Sequence, residues 1–198
     1  MRTRPALFFH EAVSSCPEER AQMRKKSAIM GLAGVGLGYS LWRGWETGLD
    51  RVWQSVFGPP DLGPVDFAAL KRRSSPNDAL ICPRAFCPDT PDSEPPVFAL
   101  SGARLRSLVS EAALADPGVT LVQSGPRQDR YLARTRLMRY PDTIVAEVIE
   151  QGPNLSTLAL YSRSQIGRSD FGVNRRRIER WVRRIEPLAA QEQRLSAR

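Results

Sequence analysis

Five residues in the C-terminal half of the sequence could together bind an anion. Arg136, Arg163 and Arg168 each carry a planar guanidinium that can donate paired hydrogen bonds to a carboxylate or phosphate. Asp170 and Asn174 follow at the start of a predicted helix, where free backbone amides and the helix dipole attract negative charge. If the fold brings these residues together, they form a forked site for a small anion or a lipid headgroup.

The acidic residues support two other interpretations. Ion pairs with Asp142 and Asp170 would neutralise the arginines and leave no ligand site. Two carboxylates can also act as a general acid and a general base. The residues available for such a pair are Asp142, Glu147, Glu150 and Asp170. Scattered surface carboxylates explain the same four residues.

The composition excludes most other catalytic chemistry. From Arg72 onward the sequence has neither histidine nor lysine, so a Ser-His-Asp triad, a Ser-Lys dyad and a Schiff-base lysine cannot form there. No glycine loop of the Walker or dinucleotide-binding type is present. The sequence therefore predicts no cofactor and favours a protein that is not an enzyme.

Cys82 and Cys87 lie in a proline-rich stretch. A closed zinc site needs four ligands, and the single histidine, His10, lies beyond the apolar segment near the N-terminus, so no metal site is predicted. The two cysteines could form a disulfide in an oxidising compartment, or they could remain free structural thiols. Both possibilities stay open.

The hydrophobic pattern predicts the elements that would position these residues. Alternation predicts four strands, and the short turns between them favour antiparallel pairing. Ser101 caps a predicted helix before the strands, and Ser169 or Asp170 caps another after them. The predicted fold is α+β, with a four-stranded antiparallel sheet and both helices packed on one face, as in helix-grip folds. The predicted strands are residues 119–123, 130–140, 143–149 and 156–164.

The last predicted helix has an apolar face and a basic face. Apolar residues recur with helical spacing from Ile178 to Ile185, and arginines cover the other side from Arg175 to Arg184. That basic face would suit nucleic acid only if the domain faced the cytoplasm.

Near the N-terminus the sequence predicts a membrane anchor. Residues 27–42 carry no charge, and as a helix they span about 24 Å, short of a hydrocarbon core of about 30 Å. Flanking basic and tryptophan side chains can extend the span by reaching the interface. We therefore predict one transmembrane helix over residues 27–45. More basic residues precede it than follow it, which predicts a cytoplasmic N-terminus.

Two alternatives apply to this anchor. A short apolar run after basic residues is also typical of a cleaved signal peptide, although no Ala-x-Ala-like site follows it. If translation begins at Met23 instead of Met1, the segment becomes an ordinary signal anchor.

Five parts are predicted along the chain. They are a cytoplasmic flexible tail (1–26), the transmembrane helix (27–45), an amphipathic segment and linker (46–64), a globular domain (65–187) and a C-terminal tail (188–198). Apolar residues from Leu49 to Phe57 could lie along the membrane surface or pack on the domain. Residues 65–96, rich in proline, are predicted to have little regular structure.

Several stretches resemble the domain-of-unknown-function 1499 family. They are YSRSQIGRSDFGVNRRRIERW at Tyr161–Trp181, PNDALICP at Pro76–Pro83, PPVF at Pro95–Phe98 and RYPDTI at Arg139–Ile144. The resemblance covers roughly residues 65–187. It implies a small domain, often membrane-tethered in bacteria, with no settled activity.

A formal net charge of +8 and a pI near 10.1 make anionic lipid and nucleic acid the first partners to consider. The positive charge, the predicted anchor and the family resemblance together predict a non-enzymatic protein of the bacterial inner membrane. Its domain would be periplasmic and would bind a protein partner or support the assembly of a membrane complex. The alternatives are a lipid or anionic small-molecule binding protein with a helix-grip-like cavity, and a carboxylate-dependent enzyme.

Overall fold

The structure is a computed structural model that describes residues 40–196. The chain divides into two compact units, Met1–Thr47 and Gly48–Arg198, and the sheet belongs to the second. The predicted membrane span, residues 27–45, lies largely outside the described residues. Within residues 40–196, none of the helices has both the length and the apolar content needed to cross a membrane.

The second unit contains a five-stranded antiparallel sheet with the order β1-β5-β4-β3-β2. The strands are β1 (Asp78–Ile81), β2 (Val119–Ser124), β3 (Gln128–Arg134), β4 (Pro141–Gly152) and β5 (Leu155–Ser164). The prediction of an α+β fold with an antiparallel sheet is confirmed.

The prediction of four strands is wrong, because β1 was missed. Its four residues lie between turn-forming and proline-rich segments, so they show too short a pattern to be read as a strand. The pairing that makes it a strand is long-range, with Asp78 opposite Arg163 on β5. In addition, β3 ends at Arg134, and residues 135–140 form the turn into β4.

The described residues contain three α-helices, which are α1 over residues 40–57, α2 (Gly102–Leu114) and α3 (Val173–Ser196). The Ser101 hydroxyl accepts a hydrogen bond from the Arg104 amide at the start of α2. At the start of α3, the Asp170 carboxylate accepts bonds from the amides of Gly172 and Asn174, both at 2.9 Å. The helix α3 continues past Pro187 and therefore includes most of the predicted C-terminal tail.

The main core lies between the sheet and helices α2 and α3. Its centre is the edge-to-face pair of Tyr131 and Trp181, with ring centroids 5.4 Å apart, and both side chains are fully buried. Leu105 and Leu108 from α2 and Ile178 from α3 belong to the same cluster. Side chains fill this space, as expected of a close-packed interior.

On the opposite face of the sheet lies a strap, which we define as residues 58–66. Polar side chains of the sheet hold its backbone. Thr143 donates to the carbonyl of Pro60 at 3.2 Å and accepts from the amide of Leu62 at 3.0 Å. Gln165 donates to the carbonyl of Pro59 at 2.8 Å. The segment predicted as a linker is thus hydrogen-bonded to the sheet along much of its length.

Candidate functional site

A buried polar cluster lies where α3 begins to cross the sheet. Arg177 on α3 donates to the carboxylate of Asp142 on β4 at 2.7 Å, and the two side chains are only 8% and 5% exposed. Arg177 also donates to the side-chain oxygens of Asn174 at 2.7 Å and Ser162 at 3.2 Å. The charge of Asp142 is therefore matched inside the fold.

Asn174 links this cluster to the strands beside it. Its side-chain nitrogen donates to the Ser164 hydroxyl at 2.9 Å and to the Asn77 carbonyl at 3.2 Å. Its side-chain oxygen accepts from the Ser162 hydroxyl at 2.5 Å. Because Asn77 directly precedes β1 and the serines lie on β5, one side chain ties α3 to two strands.

Sequence reasoning missed Arg177, although a signal was present. Arg177 stands in a run of three arginines, which as a run indicates a solvated face. Its spacing, however, is three residues after Asn174 and four before Trp181, which places all three on one face of a helix. Arginine is the residue best suited to a buried ion pair there, because its fork of donors satisfies several acceptors at once.

A second buried carboxylate, Asp116, lies between α2 and α3. It accepts hydrogen bonds from Arg180 at 2.7 Å, from the Trp181 indole at 3.0 Å and from Arg184 at 2.5 Å. Burial by itself raises the pKa of Asp116, but these hydrogen bonds outweigh burial, so its pKa lies below the ordinary value of 3.8. The ionised carboxylate therefore stabilises the folded state.

We expect Asp116→Asn to lower the free energy of unfolding at neutral pH by about 1–3 kcal/mol, because the donors around it lose a charged acceptor. Because the pKa of Asp116 is lower in the folded state than in the unfolded state, its ionised carboxylate stabilises the folded protein at a pH above the unfolded-state pKa. This stabilisation is lost as the pH falls below about 4. Thermal unfolding between pH 3 and pH 7 should therefore show a weaker acid dependence in the variant. Glu186→Gln, on the exposed face of α3, is the control. An unchanged acid dependence in Asp116→Asn would contradict this role.

The five residues of the predicted anion site are separated into different roles. Asp170 caps α3 and contacts Asn174, whose side chain belongs to the buried cluster. Arg163 lies under the strap and donates to the carbonyls of Leu62 at 2.9 Å and Gly63 at 2.8 Å. Burial lowers the pKa of Arg163.

Arg136 and Arg168, the other two, are both exposed. Arg136 lies in the turn between β3 and β4, and Arg168 lies in the loop between β5 and α3. Within the described part of the chain, their side chains make no ion pair or hydrogen bond. They are therefore the members of the predicted site that remain available to an external anion.

Most of the carboxylates considered for catalysis also have internal partners. Glu147 accepts from Arg127 at 2.9 Å and from Gln128 at 2.7 Å, on the strap side of the sheet. Glu150 lies on the other side, against Gly102 at the start of α2, where a β-carbon at Gly102 would collide with the Glu150 side chain. The two side chains leave opposite faces of β4, and both border one open pocket together with Arg106 and Arg127.

Cys82 and Cys87 are joined by a disulfide in the structure. Both are buried beneath the strap side of the sheet, in a cluster with Phe67, Leu80 and Tyr161. The bond closes the turn that follows β1. Among the described residues, no group of histidine, cysteine and acidic side chains is arranged to hold a metal ion.

The fold and the site define a small α+β domain whose conspicuous polar residues are largely bonded within the domain. A family model described as "Protein of unknown function (DUF1499)" matches residues 68–185, more than half of the chain. The chain therefore belongs to this family, and the resemblance noted in the sequence is confirmed. No curated protein matches the chain.

Proposed function

We propose that this protein is a non-enzymatic, membrane-anchored module of the bacterial envelope that binds a protein partner within a membrane complex. The anchor is the predicted span over residues 27–45, and the domain is periplasmic. The partner adds an extended segment to the edge strand β2. The exposure of this edge is the observation that carries the proposal.

The two edges of the sheet differ. At β1, residues of the following loop cover the edge: Ser93 bridges to Ile81, and the Asp92 amide donates to the Leu80 carbonyl at 2.8 Å. At the other edge, β2 pairs only with β3 among the described strands. Residues 120–124 of β2 are exposed, and Leu121 and Val122 keep 43% and 44% of their surfaces accessible.

Proteins usually protect a sheet edge with charge, proline or a covering segment, because an open edge pairs with other chains. The β2 sequence, VTLVQS, contains neither charge nor proline. A bulge between Leu121 and Gln123 interrupts the pairing of β2 with β3 and shortens the regular part of the edge that another strand could pair with. The apolar, uncharged edge supports recognition by β-strand addition, in which backbone hydrogen bonds supply affinity and flanking side chains supply specificity.

Other features support a binding module over the alternatives. The space between the sheet and helices α2 and α3 is filled by side chains such as Tyr131 and Trp181, which argues against a helix-grip cavity for lipid. Asp142, Glu147 and Asp170 have internal partners, which argues against a carboxylate enzyme. The Cys82–Cys87 disulfide is consistent with an oxidising periplasm.

The test is co-purification of the full chain from membranes of its source organism in a mild detergent. Wild-type protein should retain one stoichiometric partner, and the Leu121→Lys, Val122→Lys double variant should lose about tenfold or more of it, because two charges would be buried at the strand interface. Leu155→Lys is a matched control, since Leu155 is 42% exposed but lies outside β2.

Retention of the partner by the β2 variant to the same extent as by Leu155→Lys would refute strand addition. Recovery of the chain in the soluble fraction would refute the anchor.

A further inference from the structure

We infer that one end of the domain docks against an anionic lipid bilayer. This β3–β4 end comprises residues 48–57 of α1, the turn 135–140 and the loop 165–172. The inference rests on the proposed anchoring and deepens it, because it names the surface that the tethered domain turns to the membrane.

The strand register places the turn and the loop at the same end of the sheet. The turn leads into Pro141, the first residue of β4, and the loop follows Ser164, the last residue of β5. These strand ends are neighbours, since Asp142 pairs with Ser164. The Gln165 amide also donates to the Pro141 carbonyl at 3.1 Å, so the loop begins beside the turn.

Side-chain contacts hold α1 across this end. Asp50 accepts from Arg134 at 2.9 Å and from Arg139 at 3.0 Å. The Trp53 indole donates to the Met138 carbonyl at 2.6 Å, and its ring lies 5.0 Å from that of Tyr140.

The far end of this helical segment is held as well. Gln165 donates to the carbonyl of Phe57 at 2.9 Å, which fixes the end of α1 near the end of β5. The helix therefore spans from the β3–β4 turn toward the loop 165–172. Val52 and Val56 lie on the side of the helix away from Asp50 and Trp53 and are exposed.

Large apolar side chains protrude at the β3–β4 end. Leu137 is 69% exposed in the turn, Val56 is 64% exposed on α1, and Phe171 is 86% exposed in the loop. Val52, Phe57 and Met138 are exposed beside them. A single exposed apolar residue needs no explanation, but several gathered at one end of a small domain indicate an interaction surface.

The charges at this end suit an anionic surface. Arg51, Arg136 and Arg168 are exposed, and within the described residues none of them has an ion-pair partner. The nearby acids are already engaged, because Asp50 binds two arginines and Asp170 caps α3. Exposed apolar side chains flanked by unpaired arginines suit a bilayer interface. There the apolar side chains insert among the lipids and the guanidinium groups contact the anionic headgroups.

The position of the chain favours lipid over a second protein. The predicted span ends at residue 45, and residues 48–57 of α1, which belong to the β3–β4 end, follow it closely in sequence. A tether that short keeps this end near the bilayer, which makes docking an intramolecular event with a high effective concentration.

The experiment places a fluorophore on a single cysteine replacing Leu137 in the full chain with Cys16→Ser, reconstituted in nanodiscs containing phosphatidylglycerol. We expect the fluorophore at residue 137 to be quenched by spin-labelled lipid and to be protected from quenching by aqueous iodide. A probe replacing Leu155, which begins β5 near the opposite end of the sheet, should show the reverse. The Arg136→Gln, Arg168→Gln double variant should lower the docked-to-undocked ratio about fivefold per arginine, and this difference should shrink at high salt.

Iodide access at residue 137 equal to that at residue 155 would overturn the inference. Protection from both quenchers would also overturn it, since a second copy or a protein partner would then cover the surface. If the chain does not incorporate into nanodiscs, the proposed anchor is refuted. Quenching of the same fluorophores with added phosphatidylglycerol vesicles then tests docking by itself. A co-purification result that refutes strand addition at β2 does not change the quenching results. The two proposals can therefore be refuted independently.

Discussion

Replacement of Arg177 by alanine is expected to lower the free energy of unfolding by about 3–5 kcal/mol, because it leaves a buried carboxylate without its cation. Asp142 is nearly inaccessible to water and receives its charge-assisted bond from Arg177. The side-chain oxygens of Asn174 and Ser162 lose a donor in the same step. The measurement is denaturant unfolding of the full chain in detergent, followed by circular dichroism.

Arg183→Ala is the matched control for this prediction. Arg183 lies on the exposed face of the same helix, and its guanidinium is 3.8 Å from Glu179, so the loss should be below about 1 kcal/mol. The double variant Arg177→Met, Asp142→Leu should recover most of the stability, since an apolar pair of similar size can replace a buried ion pair. Equal losses in Arg177→Ala and Arg183→Ala would show that the cluster does not stabilise the fold.

Reduction of the Cys82–Cys87 disulfide is expected to cost about 2 kcal/mol of unfolding free energy, because the bond restricts the unfolded chain over a short loop. The turn it closes follows β1 and packs on the strap side of the sheet, so the loss should appear as a lower melting temperature of the whole domain. Melting curves with and without dithiothreitol measure it directly.

The Cys82→Ala, Cys87→Ala variant controls for reductant effects, because its melting temperature should not respond to dithiothreitol. Cys16 is present in both proteins and cancels in the comparison. Alkylation of acid-quenched cells under denaturing, non-reducing conditions, followed by mass spectrometry, should find Cys82 and Cys87 unmodified if the domain is periplasmic. Free thiols at both positions in cells would contradict the proposed location.

Local pattern was sufficient for much of the fold. Ser101 was predicted as a cap, and Asp170 was one of two predicted caps with Ser169, because short polar side chains bond the first amides of a helix in any context. Strands β2 and β5 lie within one residue of their predicted bounds, because each has a local apolar pattern, whereas β4 is five residues longer than the predicted 143–149. The antiparallel order followed from turns too short for crossovers.

Contacts between distant residues decided what the sequence could not. β1 is a strand because β5 pairs with it, and the strap is ordered because Thr143, Arg163 and Gln165 bond its backbone. Both depend on partners far away in the chain, which leave no local periodicity.

The sequence by itself determined the family, the α+β class, the absence of histidine and lysine chemistry from Arg72 onward, and the residue types able to bind an anion. Only the tertiary structure decided which arginines are free. Arg163 donates to two backbone carbonyls and Arg177 donates to a carboxylate. Arg136 and Arg168 remain exposed at the surface. The physical reason is that a guanidinium's role depends on which acceptors the fold brings within hydrogen-bonding distance, and composition does not specify that distance.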